Sequence, residues 1–150
     1  MMTIFQFEAD FVESLRCIPM VVRYKLDTCG VKLKLEHWNH FSSDEKKSLV
    51  DKPCEPGEGA IAYRDYLQHL VSAHTGSPAK ELPTELHPLW MDAAHVPIQV
   101  QEKAIECRLP LTVQQWTALE PLQRFALIKL SRPSHENRNF LPAAQEFGLG

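Results

Sequence analysis

The chain has 150 residues, 44% of them hydrophobic and 23% charged, with a formal net charge of −3 at pH 7 and a pI near 6.1. A chain of this length buries about 70% of the surface it exposes when unfolded, so it needs no disulfide or metal to hold a core, and one domain is the default. The acidic balance excludes a general nucleic-acid binder, which needs a basic stripe, and no apolar run approaches the ~18 residues of a membrane span.

The opening segment, Met1 to Asp10, is acidic and has neither a basic n-region nor a long apolar stretch. We therefore expect no secretory or transit leader and a cytoplasmic location. A helix is expected from about Glu8 to Arg16, burying Phe11, Val12 and Leu15. Pro19 then suits the first position of a second helix, where the missing N–H costs nothing. That helix runs to about Cys29 with Ile18, Val22, Leu26 and Cys29 on one face, and Gly30 offers a left-handed C-cap. Val31 to Leu35 alternates as a strand would. Pro110 interrupts the equivalent stretch further on, so a connection is expected there and not a strand. One or two turns of helix carry Trp38, and a polar, solvated helix spans about Ser43 to Asp51. After the turn Pro53-Cys54-Glu55-Pro56-Gly57, a longer helix is expected over about 58–75. Its apolar stripe is Tyr63, Tyr66, Leu67, Leu70 and His74, and Gly76 closes it. Gly76 to Pro88 holds three prolines and reads as an irregular connector.

The rest of the chain repeats its beginning. Shifted by 78 positions, residues 18–50 align with 96–128 without a gap and share seven identities in 33 positions. Pro19 falls on Pro97, Val22 on Val100, Lys25 on Lys103, Cys29 on Cys107, Leu33 on Leu111, Trp38 on Trp116 and Leu49 on Leu127. Coincidence of rare types (Trp, Cys, Pro) points to a duplicated unit of three short helices. In the second copy Val96, Val100, Ala104 and Cys107 form the apolar face, and Arg108 replaces Gly30, so the cap there must differ. Thr112 is an N-cap candidate. The last helix, from about Pro121 to Ser131, is apolar through Leu122, Phe125, Ala126, Leu127, Ile128 and Leu130 and should be central to its core. A polar tail follows from Arg132 to Phe140, and Leu141 to Phe147 can add a turn of helix. The fold expected is all-α: a single compact domain of about seven to eight helices, with two tandem three-helix units (18–50 and 96–128) joined by the longer helix.

Few residues offer chemistry. His37 and His40 lie one helical turn apart and could share a metal, but no third ligand stands at a diagnostic spacing, and the second copy has Gln115 and Ala118 there. Surface histidines are the plainer reading. Cys29 and Cys107 sit on apolar faces, where a free thiol packs as a small hydrophobe. Cys17 and Cys54 lie in proline-flanked turns, leaving a link or a reactive thiol open to geometry. The chain has no G-x-S-x-G, no phosphate-binding glycine loop and no nucleophile with a base. No catalytic residue, metal or cofactor is assigned. Two groups remain as binding candidates. Arg16, Arg23, Lys25, Lys32 and Lys34 form a basic run suited to an acidic partner or a phosphate. Arg132, His135, Asn137 and Arg138 in the tail can recognise a carboxylate or phosphate.

The stretch from Phe11 to Leu35, FVESLRCIPMVVRYKLDTCGVKLKL, resembles the opening signature of the nitrate reductase-associated protein family of cyanobacteria, other bacteria and plants. The end, from Arg124-Phe125-Ala126-Leu127 through His135-Glu136-Asn137 to Glu146-Phe147-Gly148-Leu149, is similar to that family's closing signature. The resemblance implies a non-catalytic accessory factor for assembly or maturation of assimilatory nitrate reductase, with a molybdenum-containing reductase as protein partner. It supplies no catalytic residues. The alternative is a small-molecule-binding or regulatory module of nitrogen metabolism, with a closed polar pocket between the copies near His135 and Arg138. The two copies differ at Arg23/Gln101, Lys32/Pro110, His37/Gln115 and His40/Ala118, which assigns partner binding to the first copy and core building to the second.

Overall fold

The structure, a computed structural model, describes residues 4–9, 15, 17–85, 87–133 and 135–149. It is all-α, with eight α-helices among the described residues, and it divides into two compact units, Met1–Thr84 and Glu85–Gly150. No helix among the described residues is long and apolar enough to cross a membrane.

The first unit contains helices α1 (Met20–Cys29), α2 (Leu35–Asn39), α3 (Ser43–Asp51) and α4 (Glu58–Thr75). Helix α1 buries Met20, Val21, Val22, Leu26 and Cys29 and packs on α4, which contributes Ala60, Tyr63, Leu67, Leu70 and Val71. His74 does not belong to that buried stripe. Its side chain is part exposed, and its Nε2 lies 2.9 Å from Glu45 Oε1. The N-terminus of α1 is closed from a distance: Glu8 is buried, and its Oε2 accepts from the Met20 N–H at 3.1 Å. A carboxylate there satisfies an orphan donor and meets the positive end of the helix. Pro19 is the N-cap residue, one position earlier than expected. Of the expected Glu8–Arg16 helix, residues 10–14 and 16 lie outside the described residues; a short 3-10 turn covers Gln6–Glu8, and Leu15 is buried.

One expectation for this unit is overturned. Val31–Lys32 (β1) pairs antiparallel with Lys80–Glu81 (β2), with Val31 opposite Glu81 and Lys32 opposite Lys80. The alternation was genuine. The proline argument against it failed because the first copy receives a partner segment from the far side of α4, and the second has none among the described residues. Gln68 on α4 fixes that partner: its side-chain amide donates to the Ala79 carbonyl and accepts from the Ala79 N–H, each at 2.8 Å.

The second unit contains α5 (Ile98–Glu106), α6 (Val113–Ala118), α7 (Pro121–Ser131) and α8 (Phe140–Glu146). Helix α7 is its centre. Phe125, Ala126, Leu127, Ile128 and Leu130 are all buried on it, and it packs against α5, α8 and a 3-10 turn at Leu89–Met91. A helix apolar on nearly every side is stable only when surrounded. Its one buried cation, Arg124, donates to the backbone carbonyls of Trp90 (2.7 Å), Leu119 (2.6 Å) and Trp116 (3.3 Å).

The 78-residue shift carries every helix start of the first copy onto one of the second: 20 to 98, 35 to 113 and 43 to 121. The tryptophans keep one job. Trp38 Nε1 donates to the Leu15 carbonyl at 2.7 Å and Trp116 Nε1 to the Asp92 carbonyl at 2.8 Å, and both rings are fully buried.

Candidate functional site

Of the expected basic run, Arg16 lies outside the described residues, and the other four divide. Lys25 points inward. Its ammonium donates to the carbonyls of Val50 and Lys52, closing the C-terminal end of α3, and stands 5.8 Å from the centroid of the Tyr63 ring. Burial pulls its pKa below the usual lysine range, against the opposing pull of Cys54 and Asp51. Arg23 is half-buried on α1, while Lys32 and Lys34 are exposed on β1 and just beyond it. The ladder adds a residue that sequence reasoning missed. Lys80, exposed, stands directly across from Lys32. Cross-strand neighbours share a face, and like charges there destabilise the pairing by roughly 0.2–1 kcal/mol. No described residue forms an ion pair with Lys32, Lys34 or Lys80. No local signal marks Lys80, because its place depends on the Gln68 clamp and on a pairing across the length of α4.

In the second unit, Arg132 and Arg138 are exposed. Asn137 Nδ2 donates to the carbonyls of Leu130 (3.3 Å) and Arg132 (3.1 Å), so it finishes the end of α7. The side chain of His135 lies outside the described residues.

His37 and Gln115, read from sequence as a difference between the copies, perform one task. His37 Nδ1 accepts from the Lys34 N–H at 3.2 Å, and Gln115 Oε1 accepts from the Thr112 N–H at 2.9 Å. Each is the third residue of its helix, reaching back as in a capping box. Thr112 completes the box, since its hydroxyl accepts from the Gln115 N–H. No group of three or more His, Cys, Asp or Glu residues among the described ones could hold a metal. An open groove on the first unit, lined by Asp44, Lys47, Ser48, Asp51, Lys52 and Tyr66, carries mixed charge and is exposed to solvent.

Two thiols of the first unit bond successive carbonyls of α1. Cys29, at the end of α1, is buried, and Cys54, in the turn before α4, is part exposed. The Cys54 thiol donates to the Lys25 carbonyl at 3.4 Å and the Cys29 thiol to the adjoining Leu26 carbonyl at 3.7 Å. The neighbouring Cys54 holds the Cys29 pKa below its ordinary value, and Cys29, with burial, pushes Cys54 upward. Tyr63, whose hydroxyl donates to the Leu49 carbonyl at 2.7 Å, is pushed upward by burial beside them. Cys107 is part exposed rather than packed inside as its twin is.

A family model described as a conserved nitrate reductase-associated protein matches residues 4–147. No curated protein and no solved structure matches the chain.

Proposed function

Because the chain belongs to the conserved nitrate reductase-associated protein family, we propose that it is a non-catalytic accessory factor that docks on a molybdenum-containing assimilatory nitrate reductase in the cytoplasm and supports its assembly or maturation. The docking surface in this reading is the basic face of the first unit, Lys32, Lys34 and Lys80, with Arg23 of α1 as a further candidate. One observation carries this reading. Lys32 and Lys80 stand opposite each other on a clamped two-residue ladder with no ion-pair partner among the described residues. Like charges held together at a cost to the fold are relieved by an acidic surface, and such complementarity gives speed and specificity to association. Arg132 and Arg138 are a second contact in this reading. Lys25 and Asn137 act through the fold, since both are occupied with helix ends.

The test is capture of the reductase on immobilised protein. Lys32→Glu/Lys34→Glu/Lys80→Glu should fold normally by circular dichroism and lose capture at least tenfold. Wild-type capture should weaken steeply between low and physiological salt, as screening shortens the reach of exposed charges. Equal capture by wild type and the triple variant removes this face from consideration, and no capture by wild type sinks the docking role itself.

A further inference from the structure

Helix α5 turns apolar residues outward that the repeated fold does not require. Ile98 and Ile105 are 77% and 59% exposed, and seven positions apart they share one face of the helix. Glu102 lies between them and Glu106 one turn further on, both exposed. Glu102 forms no ion pair among the described residues. The one cation of the helix, Lys103, has a side chain only 11% exposed, and its ammonium is 3.2 Å from Glu106 Oε1. The outward face is therefore acidic and apolar together. The equivalent positions of α1 are Met20, which is buried, and Asp27, an exposed carboxylate. Single exposed apolar residues are ordinary, whereas a pair of them on one helix face is the mark of a contact surface.

A face of opposite charge stands on the first unit. Lys32 and Lys80 are opposite each other on the ladder. Leu82 follows Lys80 on the same side. It is 44% exposed, and its N–H bonds Gly30, which has no side chain to cover it. The second copy has Pro110 in place of Lys32. We propose that the chain self-associates through these two faces, with the acidic, apolar face of α5 on one molecule docking on the lysine face of the ladder on another. Charge decides against the simpler pairing of α5 with its own copy, which would set carboxylates against carboxylates between the isoleucines. The contact between unlike faces brings Glu102 to the lysines and covers Ile98 and Ile105 with Leu82. It is heterologous, so one face of each molecule stays complementary to a different face of the next. It occupies the lysines of the docking surface, so self-association and capture of the reductase exclude each other. The contact needs no reductase, and the docking reading does not need this contact.

The experiment is sedimentation velocity on the whole chain over a concentration series, without the reductase. Wild type should associate reversibly at low salt and come apart as salt rises. Ile98→Ser/Ile105→Ser and Lys32→Glu/Lys80→Glu, each checked for folding by circular dichroism, should each stay monomeric, because each has lost one face. Mixed in equal amounts they should form a one-to-one pair, since each keeps the face that the other lacks. Glu102→Lys should lower the association constant by roughly tenfold or more, because the charge that selects the lysine face is reversed. A wild type that stays monomeric throughout, a double variant that associates alone, a mixture no larger than its parts, or wild-type association by Glu102→Lys overturns the proposal.

Discussion

Residues 30 and 108 occupy the same place in the two copies and take the same left-handed backbone, with φ of 76° at Gly30 and 61° at Arg108. The expectation that Arg108 forces a different cap holds for the hydrogen bonds and fails for the turn. In the second copy the Leu109 N–H reaches the Ala104 carbonyl at 2.8 Å, a Schellman closure. In the first, the Gly30 N–H bonds the Leu26 carbonyl at 2.8 Å, and the Gly30 carbonyl accepts from the Leu82 N–H at 2.7 Å. That second contact explains why glycine is needed at one site and dispensable at the other. A Cβ on residue 30 would stand 2.4 Å from the Leu82 carbonyl oxygen, whereas Arg108 is exposed. Left-handed geometry costs a side chain about 1–2 kcal/mol, and the clash with backbone adds to it. Gly30→Ala is therefore expected to destabilise by more than about 2 kcal/mol. Arg108→Gly should stabilise by about 0.5 kcal/mol, because relieved strain exceeds the added freedom of the unfolded chain. Thermal unfolding followed by circular dichroism checks both: a lower midpoint for the first, and one raised by about 1–2 °C for the second. Equal losses at the two sites would show that the Leu82 contact contributes nothing.

Helix ends are where these short elements gain definition, since most of them are too brief to persist on propensity. Helix α3 shows how. The Ser42 hydroxyl accepts from the Glu45 N–H at 3.1 Å, and Glu45 Oε1 accepts from the Ser42 N–H at 2.8 Å while meeting His74. The Ser42 N–H, first, and then His74 hold the Glu45 carboxyl below its ordinary value of 4.5. A group whose folded pKa is depressed stabilises fully above its unfolded pKa and loses that contribution as pH falls through the folded one. The pair is part exposed, so screening limits its worth to about 0.5 kcal/mol. Glu45→Gln keeps an acceptor for Ser42 and discards the charge. Its midpoint should lie about 1–2 °C below wild type at pH 6, and the gap should close as pH falls below the ordinary value of 4.5 and through the depressed folded one. A gap that persists in acid would assign the effect to cap geometry and not to charge. These boxes were readable in advance at Thr112, whose pattern is local. At His37 the same role was hidden, because an imidazole nitrogen reaching back to a backbone N–H leaves no pattern in residue type.

At the scale of the whole chain, what could be read from sequence is what repeats or what is periodic. The 78-residue shift relates the three helix starts of one copy to those of the other, the start of the third helix was read at Ser43 and Pro121, and the stretch over 58–75 matches α4 end to end. Long-range placement could not be read. The Glu8 cap on Met20, the burial of Arg124 among carbonyls, the arrival of Lys80 beside Lys32 and the reach of Cys54 to the Lys25 carbonyl each join segments that no window of sequence relates. The candidate basic face was half legible for that reason: Lys32 and Lys34 lie in one run, and Lys80 is brought by the fold. The boundary at Thr84/Glu85 was likewise hidden inside a proline-rich connector. It makes a prediction of its own. Leu82 to Glu85 is exposed and outside any helix or strand, and such backbone is where proteases enter. Glu81 is held in the ladder and bonded by Gln68 at 3.1 Å, Glu55 and Glu120 are exposed but their carbonyls accept from the helices that follow, at 2.7 and 3.0 Å, and Glu58 and Glu102 lie within helices. A glutamate-specific protease at low enzyme ratio should therefore cut first after Glu85, leaving residues 1–85 and 86–150 as transient fragments in the mass spectrum. Helical glutamates are cut only through local unfolding, which costs free energy that the connector does not require. A first cut within α4 or α5 would contradict the division at residue 85 and place the least stable backbone inside a helix.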